Sequence, residues 1–227
     1  MDEKIWQEPE IIEEPVLIEL EDESSEKKSP EKEKSGWQKA LLTYLHDLVF
    51  LLAGLILVFL LLFRVVIVSG PSMQPTLYDG DYLLLLNNIF YNDPQAGDVV
   101  VVRREGFTED NGPIVKRVVA TEGQWVDIDF EAGIVYVGDT EDTMKPLDES
   151  YTLTPTTRDE GMKFPLQVED GCIFLLGDNR ENSADSRNPR LGQVSEKEVL
   201  GKVIFLFLPG DAKGEMKRDF GRIGVVD

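Results

Sequence analysis

The sequence holds one histidine and one cysteine in 227 residues, and 23 basic residues against 43 acidic ones. Each scarcity excludes something. The lone histidine, His46, falls in Leu45-His46-Asp47-Leu48 at the start of an apolar run. A Ser-His-Asp triad elsewhere in the chain therefore has no imidazole to draw on. The lone cysteine, Cys172, rules out an internal disulfide framework and a multi-cysteine zinc site. It lies in Gly171-Cys172-Ile173-Phe174-Leu175-Leu176, where it reads as a small hydrophobe in a buried strand. A formal net charge of −20 leaves no basic stripe for a phosphate backbone, which argues against nucleic acid as a partner. No metal or cofactor site is expected, and no internal repeat is visible.

What the chain does have is a sharp division into three. Residues 1–40 carry 13 acids and six lysines in clusters without an apolar period, and read as a disordered, solvated tail. Every residue from Leu48 to Phe63 is apolar; Arg64 interrupts, and Val65-Val66-Ile67-Val68 follows. As a helix, Leu48 to Val68 would span roughly 31 Å, about one hydrocarbon core. The expectation is a single transmembrane helix over residues 41–68, with Arg64 snorkelling to the interface. Five lysines, Lys27, Lys28, Lys32, Lys34 and Lys39, precede the run closely, and after Arg64 the next basic residue is Arg103. That asymmetry puts the tail in the cytoplasm and residues 69–227 outside it.

Residues 69–227 contain short β-rich runs bounded by turn residues, among them Tyr82–Leu86, Asp98–Val102, Ile114–Val119, Trp125–Ile128, Ile134–Val137, Ile173–Leu176 and Lys202–Leu206. The fold class expected is mainly β, an antiparallel folded sheet or partly closed barrel behind one N-terminal helix. Residues 139–170 read as a polar surface excursion, and a short helix is conceivable from Ser195 to Leu200. Leu83 to Leu86 and Ile89-Phe90-Tyr91 are either core strand and turn residues or elements that dip into lipid.

Three stretches carry chemistry. In Ser69-Gly70-Pro71-Ser72-Met73-Gln74-Pro75, a serine sits between prolines and after a glycine, so the chain can turn sharply and stay stiff. Ser72 is a candidate nucleophile or an ordinary turn serine. With histidine absent, a lysine could activate it, provided burial keeps the amine neutral at working pH. With period two, Lys116 shares a strand face with Ile114, Val118 and Ala120, all apolar. It is either functional or an edge lysine that snorkels out. The polar loop from Gly177 to Arg187 could orient such a lysine or decorate the surface.

These stretches, in this order behind one apolar span, resemble bacterial type I signal peptidases. Ser69 through Leu77 is similar to the family's serine box, Gly97-Asp98-Val99-Val100 to its second box, Val115-Lys116-Arg117-Val118-Val119 to its lysine box, and Gly177 through Arg187 to its last box. The resemblance implies an all-β serine–lysine endopeptidase with Ser72 as nucleophile and Lys116 as general base. Ser183 would hydrogen-bond the lysine amine. Asp185 with Arg187, and Asp178 with Arg117, would form supporting ion pairs, and Met73 would line the site. Gly70 stands where the Gram-negative branch has a serine that helps hold the oxyanion, so the chain looks more like the Gram-positive branch. The partners implied are preprotein signal peptides, the lipid bilayer and, by proximity, the secretion translocon. Two other readings stay open: a serine–lysine protease for a specialised surface substrate, and an anchored β-domain that binds partners without catalysis.

Overall fold

The computed structural model describes residues 36–211 and 218–226, so the acidic tail lies outside the described residues up to residue 35. The described chain divides into two units that meet inside its one α-helix, α1, which spans Gly36–Leu62. The first unit, up to Leu48, contributes the N-terminal half of that helix. None of the helix's residues is buried, and it is long and apolar enough to cross a bilayer.

The helix ends earlier than the apolar run does. Phe63–Ile67 is a strand, β1, paired antiparallel with β2 (Tyr82–Asn87) from Phe63↔Leu86 to Ile67↔Tyr82. Val65, Val66 and Ile67 are β-branched, stiff at χ1 and suited to a pleated surface. A neighbouring strand, which hydropathy alone does not register, makes the difference. At the break, the Asn87 side-chain amide donates to the Leu61 carbonyl at 3.2 Å, one of the carbonyls a helix end leaves unpaired. Arg64 therefore sits in a strand, and Ser72 is separated from the helix by β1 as well as by the following turn.

The remaining strands follow in chain order as β3 (Val99–Val102), β4 (Ile114–Ala120), β5 (Trp125–Asp129), β6 (Ile134–Gly138), β7 (Lys145–Pro146), β8 (Leu166–Gln167), β9 (Cys172–Leu176), β10 (Val194–Ser195), β11 (Val199–Leu208) and β12 (Gly224–Val225). All pair antiparallel, in two sheets. The larger runs β1-β2-β11-β3-β4-β9-β10 with β12 on β11, and the smaller runs β7-β6-β5-β8. This is the mainly β architecture the alternating runs imply. Leu83 and Leu85 are fully buried in the core with Val99, Val101 and Val203, which removes them from any lipid contact, whereas Ile89 and Phe90 are exposed. The 139–170 stretch is more than an excursion: β7 and β8 flank β6 and β5 in the smaller sheet. Between Ser195 and Leu200 there is one 3₁₀ turn, Glu196–Glu198, before β11 begins.

Candidate active site

The site is built on β4, a strand buried on both faces. Lys116 faces Val100 across the β3 pairing and Arg117 faces Leu176 across the β9 pairing. Val118 belongs to one apolar cluster, against which Ile114 packs, and Val115 to another. Alternation thus sends neighbouring charged residues into opposite sides of a dry interior, with Lys116 3% exposed and Arg117 2%.

Lys116 Nζ lies 2.8 Å from Ser72 Oγ and donates to the Val115 carbonyl at 2.9 Å. Burial disfavours the ammonium and pulls the amine down to about 8, against the upward pull of Asp185, Asp178 and Glu160. The amine is therefore within reach of its neutral form near neutral pH, at a hydroxyl. Arg117 is buried just as deeply but stays paired. Its guanidinium grips Asp178 in a two-point contact at 2.9 and 2.8 Å, and it donates to the Gly97 carbonyl at 2.8 Å. The Tyr151 ring lies over it at 4.1 Å.

The loop after β9 closes on the nucleophile's turn. Asn179 donates its N–H to the Ser72 carbonyl at 3.0 Å and its side-chain amide to the Pro71 carbonyl at 3.1 Å. Thr76 donates to Asp178 at 2.5 Å. Gly177 is required by close approach: a Cβ there would lie 2.6 Å from the Ser72 carbonyl oxygen and would strike the Ser183 side chain. Asp185 and Arg187 are both fully buried and joined at 2.8 and 2.9 Å, and Asp185 also accepts from the Gly177 N–H. Burial pushes the Asp185 carboxyl up, but Arg187 and that N–H together hold it below the usual carboxylate range. Arg187 reaches further, to the Arg180 and Arg158 carbonyls.

Two expected details differ. Ser183 is buried, yet its hydroxyl makes no hydrogen bond to the Lys116 amine. The Val115 carbonyl takes that orienting role instead, because the strand's own backbone already lies beside the amine. Met73 is 1% exposed within the apolar cluster of Val68 and Leu77, so it packs under the turn and offers no open surface. Gly70 has φ +88, a conformation that favours glycine, and its N–H donates to Asp79 at 2.8 Å.

A second buried cluster was not legible in the sequence. Arg180 donates to the Glu149 carboxylate, to Thr156 at 2.8 Å and to the Gly177 carbonyl at 2.9 Å. Tyr151 lies between Arg117 and Arg180, 4.1 Å from one guanidinium and 6.0 Å from the other. Its members from the 139–170 stretch come from a segment whose polarity reads as solvent exposure. No local pattern marks a glutamate whose partner lies 31 residues on.

A mainly β domain thus follows an apolar helix, and a lysine amine lies buried at a serine hydroxyl. Residues 41–208 match the family model "Signal peptidase, peptidase S26", and the chain belongs to that family. It is thereby a serine endopeptidase of the signal peptidase class. A signal peptidase I from Bacillus licheniformis is 33% identical over 82% of this chain and 95% of its own length. A probable signal peptidase I-1 from Synechocystis is 32% identical over 75% of this chain and 86% of its own. A crystal structure of a signal peptidase I from Enterococcus faecalis V583 matches at 24% identity, covering 48% of this chain and 96% of that one, with a TM-score of 0.35.

Proposed function

We propose that this protein cleaves signal peptides from exported preproteins with Ser72 as nucleophile and Lys116 as general base. Signal peptide removal by a membrane-anchored enzyme is the function of its family. The observation that carries the assignment of roles is the 2.8 Å approach of a fully buried lysine amine to a serine hydroxyl. An anchored binding domain has no need of an amine held near neutrality at that distance.

The neutral Lys116 amine takes the Ser72 proton as Oγ attacks the scissile carbonyl. The oxyanion that forms is met by the Ser72 N–H. The Gly70 N–H is committed to Asp79 and Pro71 has none, which leaves Ser72 as the donor in this stretch. As the C–N bond breaks, the Lys116 ammonium protonates the leaving amine, and the signal peptide is left as an ester on Ser72. Lys116 then takes a proton from water, hydroxide adds to the ester, and the proton returns to Ser72 Oγ as the peptide acid leaves. Asp178 with Arg117 and Asp185 with Arg187 hold the two walls in register.

The lysines that precede the apolar run support a single-pass anchor with the β domain on the extracytoplasmic side. Substrates emerging from the secretion translocon would meet the site near the lipid surface. Two results test the assignment. Ser72→Ala, purified in detergent, should lose both preprotein cleavage and labelling by an active-site acylating inhibitor. The wild-type kcat/KM should fall about tenfold per pH unit below the Lys116 value near 8, as the amine becomes charged. Wild-type turnover by Ser72→Ala would end the assignment.

A further inference from the structure

The loop that carries Ser72 is gripped by a segment that lies past residue 208, where the match to the family model ends. The loop closes on itself at its base. The Val68 N–H donates to the Asp81 carbonyl and the Gly80 N–H to the Val68 carbonyl, both at 2.9 Å. Asp81 is fully buried, and its carboxylate gathers three pieces of chain. The Tyr78 N–H donates to Oδ2 at 2.8 Å and the Gly210 N–H to Oδ1 at 2.6 Å. Arg222 grips both oxygens, Nη1 to Oδ1 at 3.0 Å and Nη2 to Oδ2 at 2.6 Å. Its guanidinium also lies 4.4 Å from the centre of the Tyr78 ring and donates to the Thr76 carbonyl at 3.4 Å. Thr76 is thus held by its carbonyl and by its hydroxyl, which donates to Asp178.

Arg222 is itself fixed. It ends a 3₁₀ turn, Phe220–Arg222, at whose start the Asp219 side chain accepts from the Gly221 N–H at 3.0 Å. β12 then pairs with β11, and Val226 is buried in the same apolar cluster as Met73 and Leu77. The proton transfers between Ser72 and Lys116 leave Arg222 without a part. A buried ion pair at best offsets its own desolvation, so stability alone does not account for it. What a two-point grip supplies is fixed geometry.

We propose that Arg222 is a positioning residue for Ser72: through Asp81 and the Thr76 carbonyl, residues 218–226 clasp the loop and keep the serine hydroxyl at the lysine amine. This rests on Ser72 being the nucleophile. Asn179 ties the loop at the Pro71 and Ser72 carbonyls, and Arg222 ties it at the far end, so the serine is held between two anchors. With one anchor gone, Oγ can drift from the amine while the rest of the domain stays folded. A misplacement of about 1 Å can cost on the order of a hundredfold in rate.

The test is the split between kcat and KM for the full-length chain in detergent micelles with a peptide substrate. Active sites are counted with an acylating inhibitor that labels Ser72, and folding is followed by thermal melting. Arg222→Met keeps the length of the side chain and loses the grip. Well below its melting temperature, kcat per labelled site should fall at least about tenfold while KM changes less than about twofold. Arg222→Lys returns one charged point of contact and should recover part of the loss. The acid limb of the pH profile of kcat/KM should stay in place in both variants, because the amine keeps its contacts. A kcat per labelled site within about twofold of wild type in Arg222→Met overturns the proposal and marks the clasp as a stabiliser only. So does a loss carried by KM, which would put Arg222 at the substrate, and so does a displaced acid limb, which would put it at the amine. If Arg222→Met does not fold, Arg222→Lys decides alone: a reduced kcat at unchanged KM supports the clasp, and wild-type kcat overturns it. A wild-type serine that takes no label would remove the nucleophile and this proposal with it, a failure told apart because it arises without any substitution.

Discussion

The two sheets of this domain bury different things. The smaller sheet packs Val126, Ile128 and Val135, with Val168 just after β8, against Phe174 and Leu176 of β9, and among the described residues its strands bury no charged side chain. The larger sheet, where β4 meets β9, buries Lys116 and Arg117, and the loop after β9 adds Asp178, Arg180, Asp185 and Arg187. Apolar burial stabilises directly, at about 25 cal/mol per Å². Buried ion pairs at best offset the desolvation of their members. So the smaller sheet contributes apolar burial alone, while the larger carries two apolar clusters and the burden of chemistry besides. Even within the second region the burden is uneven. Arg117 and Arg187 are each matched by a two-point carboxylate, whereas Lys116 is matched only by a hydroxyl and a carbonyl. The unmatched cation is the one whose neutral form the proposed reaction needs.

Lys116→Met breaks the contrast most sharply. The variant should lose at least about three orders of magnitude in kcat/KM, since it removes the base outright. Its stability should move the other way. An amine held at about 8 when folded and near 10.4 when unfolded binds fewer protons in the native state. Stability from this group thus rises as pH climbs from about 8 to about 10.4, and below 8 the full penalty applies, on the order of 3 kcal/mol. A methionine of similar length removes that penalty, so the melting temperature at pH 7 should be unchanged or higher. A lower one would mean that the lysine is matched after all.

Much of this was legible in the chain. The strand runs, the apolar face around Lys116 and the turn at Ser72 each follow from local pattern, because period-two alternation and turn chemistry are local properties. What failed was non-local. Phe63–Ile67 became a strand because β2 lies beside it, and no window of hydropathy contains that fact. The hydroxyl of Ser183 misses the amine although its box is intact, because spacing in sequence sets which loop a side chain is on and not the last few ångströms of its reach. Glu149, Tyr151 and Glu160 were hidden for the opposite reason. Polar residues in a stretch with three prolines look solvated, and only the fold reveals the arginines that bury them.

The matched cations give a smaller effect of opposite kind. Asp185→Asn should leave Arg187 charged in a dry site without the carboxylate it is paired with. The cost should be about 3 kcal/mol, roughly a 10 °C drop in melting temperature. Activity should fall with it, since the Gly177 N–H and the loop facing Ser72 lose their anchor. A stable, fully active Asp185→Asn would show that this ion pair holds neither Arg187 nor the loop in place.

The mildest test lies in the apolar sheet. Val135 on β6 is fully buried, pairs with Ile128 and touches no group of the site. Val135→Ala removes two methyl groups from a packed cluster and should cost about 1–2 kcal/mol through lost transfer energy and an incompletely collapsed cavity. If the division between the sheets holds, kcat/KM and the position of its acid limb should stay within about twofold of wild type, because Lys116 and its carboxylates keep every contact. A limb displaced by so remote a truncation would mean that the smaller sheet sets the electrostatics of β4 through β9, whose Phe174 and Leu176 both regions share. The two regions would then be one mechanical element, and the chemistry would not be confined to the larger sheet.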